Sequence, residues 1–128
     1  MSLRSPLGRV LGLGSARGGV SHWYAQRVSA VALVLLGLWF MFSLATQGSA
    51  DYGSVTAWLS RPLNTALAVL LVATAAYHAK LGLQVVVEDY VGNKGLRLAV
   101  MIGIKFLLVL AAMVGILSIL RVAFGGGA

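Results

Sequence analysis

Three long apolar stretches, at about residues 27–46, 62–90 and 97–124, constrain this chain more than any other feature of its sequence. Each is long enough for the roughly 20 helical residues that cross the hydrocarbon core of a bilayer. Inside lipid the backbone must satisfy its own hydrogen bonds, which only helices and closed barrels achieve, and uninterrupted apolar runs of this length fit helices. Composition agrees: 59% of the 128 residues are hydrophobic and 10% charged, too little polar surface to cover a water-soluble globule. The expected fold is an all-α membrane protein with three transmembrane helices.

The remaining segments read as tail and turns. Residues 1–26 are rich in Gly, Ser and Arg and hold no acid, so a solvated basic tail precedes a transmembrane domain over 27–128. The tail lacks the apolar core of a secretory signal; a mitochondrial presequence is the alternative to a tail shaped by positive-inside sorting. The run Gly12-Leu-Gly-Ser-Ala-Arg-Gly18 has no preceding strand and a displaced third glycine, so it reads as linker rather than a dinucleotide loop. A polar turn at Gly48-Ser-Ala-Asp51 leads to a short interfacial segment, Val55–Leu59 with Trp58, ahead of Pro62 at a helix start. Gly92-Asn-Lys-Gly95 is a second turn, and Trp39, Phe40 and Phe42 are expected to anchor one end of the first helix at the interface.

Ten basic residues against three acidic ones (Asp51, Glu88 and Asp89) give a net charge of +7. In a membrane protein that excess records orientation and contact with anionic headgroups, and no nucleic-acid partner is expected. Arg4, Arg9, Arg17 and Arg27 with Lys94 and Arg97 fall on one side, while the other side holds Arg61 and Arg121. The N-terminus and the second loop are therefore expected to be cytoplasmic. The absence of cysteine excludes disulfides, iron–sulfur ligation and cysteine nucleophiles within the chain. Three helices make little internal core, so the chain is expected to pack with a partner membrane subunit.

Ionisable groups inside a span are costly and usually functional, and there are three: His78, Lys80 and Lys105. At 100° per residue, His78, Gly82, Val85 and Asp89 share a stripe that Leu71, Thr74 and Ala75 extend. A glycine one turn from an imidazole suits the approach of a flat macrocycle to an axial nitrogen, the other ring nitrogen being oriented by the Thr74 carbonyl. A neutral histidine in an interhelical hydrogen bond explains the same pattern. His22, in the basic tail, is too shallow to oppose His78, so a second axial ligand would come from another chain. Asp89 and Tyr90 follow roughly 16–18 Å further along the helix, at the interface. There a phenol can bond a quinone carbonyl and a carboxyl can relay protons; an aromatic belt and a polar helix end account for the pair more simply. Lys80 projects about 160° away from His78 and is expected to join Gln84 and Glu88 in a polar track, the alternative being a face that meets a partner subunit or a propionate-bearing edge, and Lys105 to snorkel without a further role.

The stretch His78-Ala-Lys-Leu-Gly-Leu-Gln-Val-Val-Val-Glu-Asp-Tyr-Val91 resembles the second-helix signature of the succinate dehydrogenase hydrophobic anchor (D) subunits, H-x3-G-x6-DY, with its spacing kept. His22-Trp-Tyr-Ala-Gln-Arg-Val-Ser-Ala-Val-Ala-Leu33 is similar to that family's first-helix entry, in which an arginine opens the span. The resemblance covers nearly the whole chain. It implies a membrane anchor of succinate:quinone oxidoreductase, with no succinate-oxidising centre of its own. It implies His78 as an axial ligand of haem b, shared with a cytochrome b (C) subunit. It implies Arg27 at a haem propionate or the quinone pocket with His22 in a weaker contact, and Tyr90 and Asp89 at ubiquinone. The flavoprotein and iron–sulfur subunits would be the soluble partners. The wording is closest to alphaproteobacterial and mitochondrial members; a bacterial inner membrane is expected rather than a mitochondrial one. The anchor of a fumarate reductase-type complex, or a small transporter or assembly subunit with His78 and Lys80 in an ion path, are the alternatives.

Overall fold

The computed structural model describes residue 6 and residues 16–125. Among the described residues four helices follow one another: α1 (Ala16–Thr46), α2 (Tyr52–Leu59), α3 (Pro62–Tyr90) and α4 (Lys94–Gly125). Three of them are long and apolar enough to cross a membrane, and the described residues contain no strand.

α1 begins at Ala16, well before residue 27. The apolar run measures the stretch that tolerates lipid, but the hydrogen-bond ladder of a helix need not stop where the lipid does. At 1.5 Å per residue the 31 residues of α1 span about 46 Å, against a hydrocarbon core of about 30 Å. Residues 16–26, expected as tail, are therefore helical. α4 likewise starts at Lys94 rather than near residue 97, because Asn93 caps it: its side-chain oxygen accepts from the Leu96 N–H at 3.1 Å.

The connections are tightly built. α1 ends in a turn at Gly48, whose φ of +74° lies in the left-handed region that an L side chain rarely adopts. Asp51 then caps α2, accepting from the Ser54 N–H at 3.2 Å and the Ser54 hydroxyl at 2.7 Å, with the Ser49 hydroxyl on the same carboxylate. The Ser49 and Ser54 hydrogen bonds favour the anion and hold its pKa down to about 2, from an ordinary 3.8. A depressed carboxylate pKa stabilises the fold above the ordinary value, and that contribution is lost as pH falls through the folded value. The first turn of α2 is thus expected to keep its amide protection at pH 3.8 and to lose it towards pH 2. Asp51→Ala should lack that protection at either pH, read by hydrogen exchange of the Ser54 amide in detergent.

α2 is clamped to its neighbours. The Asn64 side-chain amide donates to the Trp58 carbonyl at 2.9 Å, and the buried Thr65 hydroxyl to the Leu59 carbonyl. Trp58 stacks on Trp39 of α1 with ring centres 5.5 Å apart and meets Phe40 edge-on at 6.2 Å. Two of the three expected anchors therefore join α1 to α2, while Phe42 is exposed.

α3 lies between α1 and α4, which do not touch each other. Gly115 lets α4 come close, since a Cβ there would stand 3.2 Å from Val72. The result is a layer three helices wide with two broad faces and a thin core: Leu36, Leu59, Ala68, Leu81 and Val87, with the polar Ser29 and Thr65. No residue of α4 is buried.

Candidate functional site

His78 stands on α3 facing α1, and its Nδ1 lies 2.8 Å from the hydroxyl oxygen of Ser29. That hydroxyl donates its hydrogen to the Gln26 carbonyl at 3.1 Å, three residues back on α1. A serine has one hydrogen to give, so the contact with His78 must run the other way, with Nδ1–H donating and Ser29 accepting. The neutral ring then carries its lone pair on Nε2. Ser29 is only 5% exposed, so packing holds this relay in place. The expected orienting group, the Thr74 carbonyl, is not the partner. A carbonyl one turn back points along the helix axis into the ladder, whereas a hydroxyl from the facing helix meets the ring at its edge.

Trp23, Gln26, Arg27, Ala30 and His78 line one cavity of about 300 Å³. Arg27 is exposed and its guanidinium lies over the Trp23 ring, 5.5 Å from the centre. Such stacking leaves the planar edge with its donors free for an anion. Gly82 faces open space: a Cβ there would meet nothing within 4 Å, so nothing inside this chain requires glycine at that position. No group of three metal-ligating side chains occurs among the described residues.

His22 lies within α1, not in a tail, and is half-buried with Nε2 shielded and lacking a hydrogen-bond partner. It is seven residues from Ser29, about 10 Å along the helix, and does not line the His78 cavity. Asp89 and Tyr90 occupy the last turn of α3, both exposed, Tyr90 at 85%. The turn beyond them is stiff: Val91 N–H bonds the Val87 carbonyl at 3.0 Å, and Arg97 Nε donates to the Val91 carbonyl at 3.0 Å. The structure thus gathers His78 and Arg27, holds Asp89 and Tyr90 at the helix end, and leaves His22 apart from both.

The polar track is realised in part. Gln84 donates to Glu88 at 2.9 Å, but the Lys80 ammonium turns the other way and lies 5.2 Å from the centre of the Tyr77 ring. Helical side chains lean toward the N-terminus of their helix, which takes Lys80 away from Gln84. Sequence reasoning passed over Ser29, Gln26 and Trp23. The signal for Ser29 was a hydroxyl alone in an apolar stretch, two residues after Arg27.

Three long apolar helices in an open layer, with an imidazole of α3 oriented by α1, define a small integral membrane protein. Residues 1–112 match the model of the succinate dehydrogenase/fumarate reductase transmembrane subunits, and the chain belongs to that family. It is 34% identical over 116 residues to the succinate dehydrogenase hydrophobic membrane anchor subunit of Rickettsia bellii, covering 91% of this chain and 93% of the relative. The corresponding subunit of Rickettsia conorii is 36% identical over 85 residues, covering 66% and 68%. That of Paracoccus denitrificans is 32% identical over 95 residues, covering 74% of each chain.

Proposed function

We propose that this chain is the hydrophobic anchor of a bacterial succinate dehydrogenase. In this reading it attaches the flavoprotein and iron–sulfur subunits to the inner membrane, with its N-terminus cytoplasmic, and supplies half of a haem b site and part of a ubiquinone site. The observation that carries the haem assignment is the Ser29–His78 hydrogen bond, which leaves Nε2 of His78 with its lone pair. Haem, when bound, supplies a one-electron carrier within the membrane. His78 would hold the iron through Nε2, Ser29 would fix the ring and its tautomer, and Arg27 would offer its guanidinium to a propionate or to the neighbouring quinone pocket. His22 adds a weaker contact on the same surface. The other ligand would come from the cytochrome b (C) subunit.

At the end of α3, Tyr90 donates a hydrogen bond to a ubiquinone carbonyl and the Asp89 carboxyl passes protons from water to the reduced ring. The exposure of both suits groups that meet their ligand beside another chain. Succinate is oxidised elsewhere, in the flavoprotein, and this chain has no part in that step.

The test is the complex purified through a tag on this chain. It should contain a flavoprotein, an iron–sulfur protein and a second small membrane protein, and show a b-type band in its reduced-minus-oxidised spectrum. Ser29→Ala removes the acceptor for Nδ1–H, and loss of such an outer partner weakens ligation by roughly 10–100-fold. The variant should keep a weakened band with a raised midpoint potential, because a ligand whose N–H is no longer bonded donates less to ferric iron. Ser29→Thr should restore the original potential. A complex without the band rejects the haem assignment; an identical potential in Ser29→Ala rejects the role of Ser29.

A further inference from the structure

Arg97 stands in the first turn of α4 and ties that helix to the chain beyond α3 twice over. Its side chain reaches back across the turn, Nε donating to the Val91 carbonyl at 3.0 Å, while its own N–H donates to the Asn93 carbonyl at 2.9 Å. Val91 has left the helix, with φ of −102° and ψ of 98°, so its carbonyl lies beyond the ladder of α3 and takes its partner from α4 instead. The connection between the two helices is only Val91, Gly92 and Asn93. A Cβ at Gly92 would meet nothing within 4 Å, and glycine restricts the backbone least of all residues. Arg97 is half-buried, and its helix packs on α3, where Gly115 meets Val72. A side chain anchored on that frame holds a carbonyl that the glycine beside it would leave free to move.

Tyr90 is the residue directly before Val91, and its ring is exposed. Its hydroxyl makes no hydrogen bond among the described residues, so the backbone alone aims it. We propose that Arg97 is a positioning residue for the ubiquinone head: by holding the Val91 carbonyl it fixes the last turn of α3 and presents the Tyr90 hydroxyl ready to donate. The inference rests on the reading of Tyr90 as the quinone's hydrogen-bond donor, and Arg97 acts through the backbone rather than on the ring of the substrate. A donor that is already ordered has no freedom left to lose when the substrate arrives, whereas a frayed helix end must be ordered on binding, which weakens affinity. The bound geometry stays attainable without Arg97. Its loss therefore raises KM and spares the rate at saturation.

The experiment compares two neutral variants in the purified complex. Arg97→Gln keeps an N–H donor as many bonds from the backbone as Nε, and Arg97→Met has the same reach with no donor. Arg97→Met should raise the KM for ubiquinone roughly three- to ten-fold, the range that one hydrogen bond of ordinary net strength spans, with kcat and soluble-dye activity unchanged. Arg97→Gln should return KM to that of the unaltered complex. In a Tyr90→Phe background, Arg97→Met should change KM no further, because the hydroxyl it aims is gone. The Val91 amide should exchange faster in Arg97→Met and regain its protection in Arg97→Gln, a readout that needs no quinone. An unchanged KM in Arg97→Met beside an impaired Tyr90→Phe overturns the inference and leaves the reading of Tyr90 standing; quinone kinetics untouched by Tyr90→Phe overturn both. Equal loss of quinone and dye activities in Arg97→Met, or a KM that stays high in Arg97→Gln, traces the effect to assembly or to charge and overturns the positioning role.

Discussion

His78→Ala is expected to abolish the b-type absorbance of the purified complex. The side chain has two jobs on opposite edges of one ring: Nδ1–H bonds Ser29, and Nε2 is left to ligate. Losing the first costs only about 0.5–1.5 kcal/mol net, and the Ser29 hydroxyl keeps its bond to the Gln26 carbonyl. Packing of α1 on α3 should therefore survive, and the spectroscopic loss would come from the missing nitrogen. His78→Asn separates the two jobs further, because its amide can still donate toward Ser29 while giving iron no imidazole. Both variants should lose the band completely, with the second retaining more of the assembled complex. A band that persists in either one refutes His78 as the ligand, and the interhelical hydrogen bond alone would then explain the residue.

Tyr90→Phe should cut ubiquinone reduction by succinate roughly ten-fold, the scale expected when one hydrogen bond to the substrate is removed. Succinate oxidation with a soluble dye, which bypasses the membrane site, should be nearly unchanged. The phenol is 85% exposed in this chain, so deleting its oxygen breaks no internal contact and the fold has no reason to respond. Asp89→Asn, on the same turn, should act mainly through protons, with the deficit growing as pH rises and water supplies them less readily. Equal loss of quinone and dye activities in Tyr90→Phe would instead reveal a fault in assembly.

The spans were legible because lipid tolerance is written in consecutive residues: each apolar run marks a helix that is present. The second span was bounded correctly at 62–90, its start marked by Pro62, but where the first begins was not legible, since the backbone of α1 continues as helix through residues whose side chains suit water. A short interfacial segment was expected at Val55–Leu59; that it is a helix, beginning at Tyr52, depends on the Asp51 cap, a local geometry that composition does not reveal. His78 and Arg27 could be singled out from type and spacing, but the serine that orients the imidazole sits 49 positions away in sequence. Pairing across two helices is set by how they rotate against each other, and no single stretch records that. Lys80 shows the same limit on a smaller scale: Gln84 and Tyr77 were both within reach, and only the lean of the side chain decided between them.

The open layer has a bearing on how the cell must make this protein. A closed bundle can wait in the membrane after synthesis, its polar groups hidden in an interior. A row of three helices whose outer helices never meet has no interior to hide them in. If other membrane chains cover this row, a copy made without them is expected to accumulate to a lower level in the membrane than one made alongside them.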